Sequence, residues 1–220
     1  MGNLNMKISI LCGAFGLCLI SASSFAASTG VAYDVATVKA LASANMENGK
    51  ALAAEHCAEC HGDHGVNPDD EFPNIAGQVA SYAFKQLMDI RDKNRKSRKM
   101  RRRIKNLTDQ ELMDLALYYE TLAPERRAEP APAIALVDKG DGKRMLTPCA
   151  SCHGSDAGGG DFDVPMLKGQ HPDHFIAAME AFRDGSRAND IYGKMREAAL
   201  ELTDEEIEAL ANYYSGLEID

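Results

Sequence analysis

Apolar residues recur at three- and four-residue spacing along much of the chain, and the strict alternation of a half-buried strand is scarce. Leu112, Leu115, Ala116 and Tyr119 form one such stripe; Ile207, Leu210, Ala211 and Tyr214 form another. Each stripe follows a capping box, Thr108-x-x-Glu111 or Thr203-x-x-Glu206. In that box, hydroxyl and carboxylate serve backbone N–H groups that the first helical turn leaves unpaired. The same periodicity predicts a middle helix over 79–91 and over 172–183, and a shorter helix near 47–56 and near 141–147. Loops rich in Gly, Asp and Pro ("HGVNPDDEFPN", "SDAGGGDFDVP") separate the short helices from the middle ones. The fold class this predicts is all-α.

The elements come in two sets because the chain is a duplication. At a shift of 92, Cys57, Ala58, Cys60, His61 and Gly62 fall on Cys149, Ala150, Cys152, His153 and Gly154. Pro73 falls on Pro165, Gly77-Gln78 on Gly169-Gln170, and Arg91-Asp92 on Arg183-Asp184. Further on the shift is 95: Leu107-Thr108-Asp109 meets Leu202-Thr203-Asp204, and Tyr118-Tyr119 meets Tyr213-Tyr214. The period suits a small domain, with three residues added in the second copy. Between the copies runs "PERRAEPAPAIAL", whose three prolines oppose both helix and sheet, as an extended linker would. The expected organisation is a first helical domain over 27–124, a linker over 125–136 and a second helical domain over 137–220.

Residues 1–26 read as a secretory signal peptide. One charge, Lys7, precedes an apolar run from Ile8 to Ile20, and Ser24 and Ala26 stand at the −3 and −1 positions of a cut before Ala27. The run is short for a membrane span, so an uncleaved anchor is the weaker alternative. Export implies a periplasmic location. It also changes the cysteine arithmetic: of six cysteines, Cys12 and Cys18 leave with the signal, and the remaining four all stand in "CAECH" (57–61) and "CASCH" (149–153).

C-x-x-C-H is the attachment word for c-type haem. A disulfide within each CxxC would leave His61 and His153 unexplained. A zinc site would have to gather four ligands from two distant words. Two such words behind an export signal therefore point to two covalently bound haem c groups. Cys57, Cys60, Cys149 and Cys152 are the candidate thioether anchors, and His61 and His153 the candidate proximal iron ligands. Small, loop-rich modules without disulfides would gain from a haem the apolar core they otherwise lack.

The sixth iron position commonly takes Met or His. A shared role should fall on shared positions, and of the methionines downstream of the two words only Met100 and Met195 meet each other in the repeat. They are the candidate distal ligands. His56, His64, His171 and His174 have no histidine counterparts, which favours surface or helix-end roles. Gln78 with Gln170, and Arg91 with Arg183, could hold haem propionates, bridge the modules or lie on helix surfaces.

Charge is distributed unevenly. Residues 27–124 carry 13 basic and 14 acidic side chains; residues 125–220 carry 10 and 19. The stretch "RDKNRKSRKMRRRIK", from Arg91 at its start to Lys105 at its end, holds ten basic residues and one acid and encloses Met100. Nucleic-acid binding is a weak reading for an exported redox module. A ring of positive charge around one haem would instead steer an acidic redox partner to it and favour reduced iron. Peripheral membrane association stays open.

Taken together, CxxCH, P-x-x-x-G-Q, Met, L-T-D-x-E and Y-Y in two tandem copies resemble the di-haem cytochrome c4 type, across almost the whole mature chain. The resemblance implies tandem cytochrome c-like helical domains, His/Met ligation at both irons and a periplasmic carrier of single electrons between redox proteins such as an oxidase, a reductase or a flavoprotein. The cytochrome subunit of flavocytochrome c sulfide dehydrogenase is a close competitor. An enzyme such as a di-haem peroxidase is the less favoured alternative, because matched methionines leave neither iron an open position. The density of arginine around Met100 departs from the type.

Overall fold

The computed structural model describes residues 34–67, 71–125, 128–160 and 163–219. The expected signal peptide, with Cys12 and Cys18, lies outside the described residues. The described chain is all-α. Eleven helices run in the order α1 (Val35–Leu41), α2 (Met46–His56), α3 (Ala58–His61), α4 (Ala80–Arg91), α5 (Arg98–Ile104), α6 (Asp109–Glu120), α7 (Ala135–Asp138), α8 (Ala150–His153), α9 (Pro172–Arg183), α10 (Lys194–Glu201) and α11 (Asp204–Ser215). Among the described residues, β structure is limited to one isolated bridge, Asp141 to Leu146.

Two separate apolar cores divide these helices. The first gathers Phe84, Ile104, Leu112, Leu115 and Tyr119, and the second gathers Phe175, Met179, Ile207, Leu210 and Tyr214. In the first module α6 packs on α2 and α4; in the second α9 packs on α10 and α11. Both capping boxes form as expected, with Glu111 N–H donating to Thr108 and Glu206 N–H donating to Thr203. Close packing of α2 on α6 depends on Gly49: a Cβ there would stand 2.1 Å from the Asp114 carbonyl oxygen. Asp114 also ties down the start of α2, accepting from Asn45 N–H at 2.8 Å and from Asn48 Nδ2 at 2.7 Å.

Arg91 and Arg183 turn out to be matched clamps within their own modules. Arg91 reaches Leu107 O and Asp109 at the start of α6; Arg183 reaches Leu202 O and Asp204 at the start of α11. They fasten the middle helix of each module to its last helix.

Several sequence expectations are corrected. No helix covers 141–147. That segment is a turn closed by the Asp141–Leu146 bridge, with Asp141 accepting from Lys143 N–H, and the helical turn before CASCH is α7. α7 begins at Ala135, inside the stretch expected to be linker. Helices α1, α5 and α10 were not anticipated; α5 and α10 are too short, and α5 too charged, for a clear apolar stripe. The added residues of the second copy form a 3₁₀ turn, Ile191–Gly193, in which Tyr192 (φ 61°) and Gly193 (φ 71°) are left-handed.

Candidate functional site

Each attachment word forms one helical turn, α3 or α8, which brings its two cysteines and its histidine around one small volume. Each turn stops at a glycine, Gly62 (φ 78°) or Gly154 (φ 84°), in a conformation side chains resist. His61 and His153 are both buried. His61 Nδ1 lies 2.9 Å from Pro73 O, and His153 Nδ1 lies 3.0 Å from Pro165 O. A carbonyl can only accept, so Nδ1 carries the proton and Nε2 presents its lone pair. Burial lowers both imidazole pKa values, and the proline carbonyls offset this only in part. The result is a neutral, oriented imidazole in each module, the state a metal ligand requires.

Met100 stands opposite the first of these. Its Sδ is 3.5 Å from His61 Nε2. The α5 helix, too short to be stable alone, is held over the site by Ile104 in the core and by Arg103 pairing with Glu59 of CAECH. In the second module a cavity of about 810 Å³ is walled by Cys149, Cys152, His153, Met195, Phe175, Leu202 and others. Asp190 caps the helix that carries Met195, accepting from Met195 N–H and Arg196 N–H at 3.1 Å each.

Among the described residues all four cysteines are free thiols. Burial pushes the Cys57 thiol up to about 11 and raises Cys149 as well. No cluster of three or more His, Cys, Asp or Glu suited to a metal ion occurs among the described residues. The residues fit haem c: two thiols for vinyl carbons, an oriented imidazole, a thioether donor and a largely apolar cavity.

Between the modules lies a polar seam. Gln78 Oε1 accepts from Met166 N–H at 2.9 Å while its Nε2 donates to Met166 O at 3.1 Å. Gln170 does the same to Asn74, accepting at 3.0 Å and donating at 2.9 Å. The glutamine pair therefore bridges the modules. Lys85 and Asp89, both fully buried, pair at 2.7 Å; Lys85 also donates to Asn189 O, and Asn189 donates to Asp89 and Gln86. Tyr82, Lys85 and Gln86 of the first module line the second module's cavity beside Arg187 and His174. Burial alone would raise the Tyr82 phenol, but Arg187 and Arg95 outweigh it and bring it below its usual value. Burial, then Arg95 and Arg187, drives His174 down to about 3.

Two of the histidines set aside in the sequence are thus seam residues. His171 is completely buried, with Nε2 3.1 Å from Asn67 O in the other module. Sequence reasoning also missed the pairing of Arg95 with Arg187 and of Tyr82 with His174. The signal was present: each pair obeys the 92-residue shift.

Comparison with known proteins agrees with this geometry. Residues 44–118 match the family described as cytochrome C oxidase, cbb3-type, subunit III, and residues 140–218 match the cytochrome c family. The chain is 38% identical to cytochrome c4 of Thiocapsa roseopersicina over 176 residues, spanning 77% of this chain and 91% of that one. The chain belongs to the cytochrome c4 family. The reduced recombinant cytochrome c4 from Pseudomonas stutzeri superposes with a TM-score of 0.74 at 31% identity, covering 80% of this chain and all of that one. A thiosulfate dehydrogenase electron acceptor of Thiomonas intermedia is 33% identical over 168 residues, 73% of this chain and 77% of that one. As a cytochrome c4, the protein is a di-haem c-type cytochrome, with two tandem cytochrome c domains and two covalently bound haem c groups. It is an electron carrier and not an enzyme. Among the described residues no helix is long and apolar enough to cross a membrane.

Proposed function

We propose that this protein works in the periplasm, after removal of residues 1–26, and carries single electrons between two redox proteins. Cys57 and Cys60 tether one haem, and Cys149 and Cys152 the other. His61 and His153 are the proximal ligands, Met100 and Met195 the distal ones. The observation that carries this reading is the facing of His61 Nε2 and Met100 Sδ across 3.5 Å, with His61 Nδ1 committed to Pro73 O. Bound haem supplies a one-electron couple. The chain's own residues hold the imidazoles neutral, keep thioether donors opposite them and exclude water with apolar walls.

An acidic partner docks at the first module. Lys93, Lys96, Arg98, Arg102 and Lys105 are exposed beside the Met100 helix. Lys99 pairs with Glu71 and lies 5.0 Å over the Phe72 ring, so the basic stretch also braces the site. A second reading, favoured by the relationship to a thiosulfate dehydrogenase electron acceptor, makes the donor a dehydrogenase of inorganic sulfur compounds.

Redox titration of the purified holoprotein, followed in the visible spectrum, tests the ligand set. Met195→Ala should remove about half of the methionine–iron charge-transfer absorbance, with one of two haems losing its thioether. An unchanged band would refute the assignment of Met195.

A further inference from the structure

The seam does more than join the modules. The residue that Gln170 grips by its backbone is Asn74, and the preceding carbonyl, Pro73 O, is the one that holds His61 Nδ1. The residue that Gln78 grips is Met166, and the preceding carbonyl, Pro165 O, holds His153 Nδ1. We propose that Gln78 and Gln170 are crossed positioning residues: each orients the proximal histidine of the other module. The inference rests on His61 and His153 being iron ligands.

The geometry is well suited to this. Each glutamine closes a two-bond ring with one residue, accepting from its N–H and donating to its C=O, so that residue can neither slide nor rotate. Each amide is itself fixed, because Oε1 also accepts from the next residue of its own chain, Val79 N–H at 3.1 Å or His171 N–H at 3.0 Å. Those two residues are the N-caps of α4 and α9, so each glutamine is anchored to the middle helix of its own module. On the Asn74 side a third bond, Asn74 Nδ2 to Gly169 O at 2.8 Å, adds to the grip. Asn74 Oδ1 in turn accepts from Asn67 N–H, and Asn67 Nδ2 donates to Cys60 O of the attachment word. The proximal side of the first site is therefore framed by residues of the second module, and the reverse holds through Gln78.

The chemical effect follows from the carbonyl. An imidazole that donates Nδ1–H to a fixed carbonyl is a stronger electron donor at Nε2 and favours oxidised iron. Releasing the carbonyl weakens that donation and favours the reduced form. A perturbation on one side of the seam should thus be read out at the haem on the other side.

The test uses the holoprotein and two variants, Gln170→Leu and Gln78→Leu, which keep side-chain bulk and remove both bonds. In the reduced state, ¹⁵N-resolved hydrogen exchange of the histidine ring Nδ1–H is measured at both sites, together with both midpoint potentials. Gln170→Leu should speed exchange at His61 by about fivefold to tenfold, the worth of roughly one hydrogen bond, and raise the potential of the first haem. His153 should be unaffected. Gln78→Leu should do the reverse. Equal changes at both sites in each variant, changes confined to the mutated module, or no change would each overturn the proposal. Should a leucine variant fail to incorporate haem, Gln170→Glu and Gln78→Glu, which keep the acceptor and lose the donor, give the same crossed comparison. Loss of histidine ligation altogether, seen as loss of both ring N–H signals in the unmodified protein, would instead refute the ligand assignment.

Discussion

Arg95 and Arg187 stand 92 residues apart and occupy the same turn in each module. The N–H of Arg95 donates to Asp89 O at 2.9 Å, and that of Arg187 to Ala181 O at 2.8 Å. Both guanidinium groups run into the seam and share one acceptor, Gln86 Oε1, at 3.0 and 3.3 Å. Arg187 also donates to Tyr82 OH and Asn189 Oδ1, and lies 4.3 Å over the Phe182 ring. These hydrogen bonds go to neutral acceptors, so positive charge is concentrated where the second haem cavity meets the first module. Burial, with Arg187 next to it, drives the Arg95 guanidinium down to about 10.

Removing that charge should lower the potential of the second haem, since a nearby cation favours the reduced iron. Arg187→Gln is expected to shift its one-electron equilibrium about tenfold toward the oxidised form, which corresponds to roughly 59 mV. Spectroelectrochemical titration checks this. An unmoved potential with both haems retained would exclude that role for Arg187.

The exposed cations beside Met100 should govern encounter with an acidic partner. Replacing Arg98, Arg102 and Lys105 together by Gln should slow reduction by an anionic redox protein about tenfold at low ionic strength. The salt dependence of the rate should flatten at the same time, because the screened attraction is gone. Stopped-flow kinetics across a salt series measures both. Fold stability should change little, as these three side chains are exposed.

Acid should weaken the second module through Arg144. Its guanidinium grips Glu206 with two bonds of 2.7 and 2.8 Å and also reaches Asp141 at 2.8 Å. Those bonds hold both carboxyls below their usual pKa. A lowered carboxyl pKa contributes stability that is present above the unfolded value and is lost as pH falls through the folded one. Thermal melting of the holoprotein should therefore fall away below about pH 4. Arg144→Met should shrink that acid-dependent loss. A melting curve with the same pH dependence in both proteins would exclude the role.

Much of the site could be read from the chain. The attachment words are local: two intervening residues put both sulfurs on one helical turn, whatever surrounds it. The capping boxes are local too, and so Thr108 and Thr203 begin helices where the periodicity says they should. Gln78 and Gln170 are visible as a matched pair, but the sequence is compatible with three uses for them. The pairing of Tyr82 with His174 is unlike in type, and that of Arg95 with Arg187 falls just past the gapless match that ends at Asp92, so neither stands out in the sequence. The helix expected over 141–147 failed for a physical reason: Asp141 accepts from Lys143 N–H and Arg144 N–H, and that Asx turn competes with helix.

The order of residues alone pointed to the chemistry through two CxxCH words and a 92-residue duplication, and it supplied the matched methionines proposed as ligands. These depend on spacing within a few residues or on self-similarity, both of which survive without coordinates. The tertiary structure decided what joins the halves. Whether a glutamine bonds a propionate, a solvent molecule or a backbone 88 or 96 residues away depends on which surfaces meet. Contact between distant segments is set by packing of two separate cores, which no local pattern records.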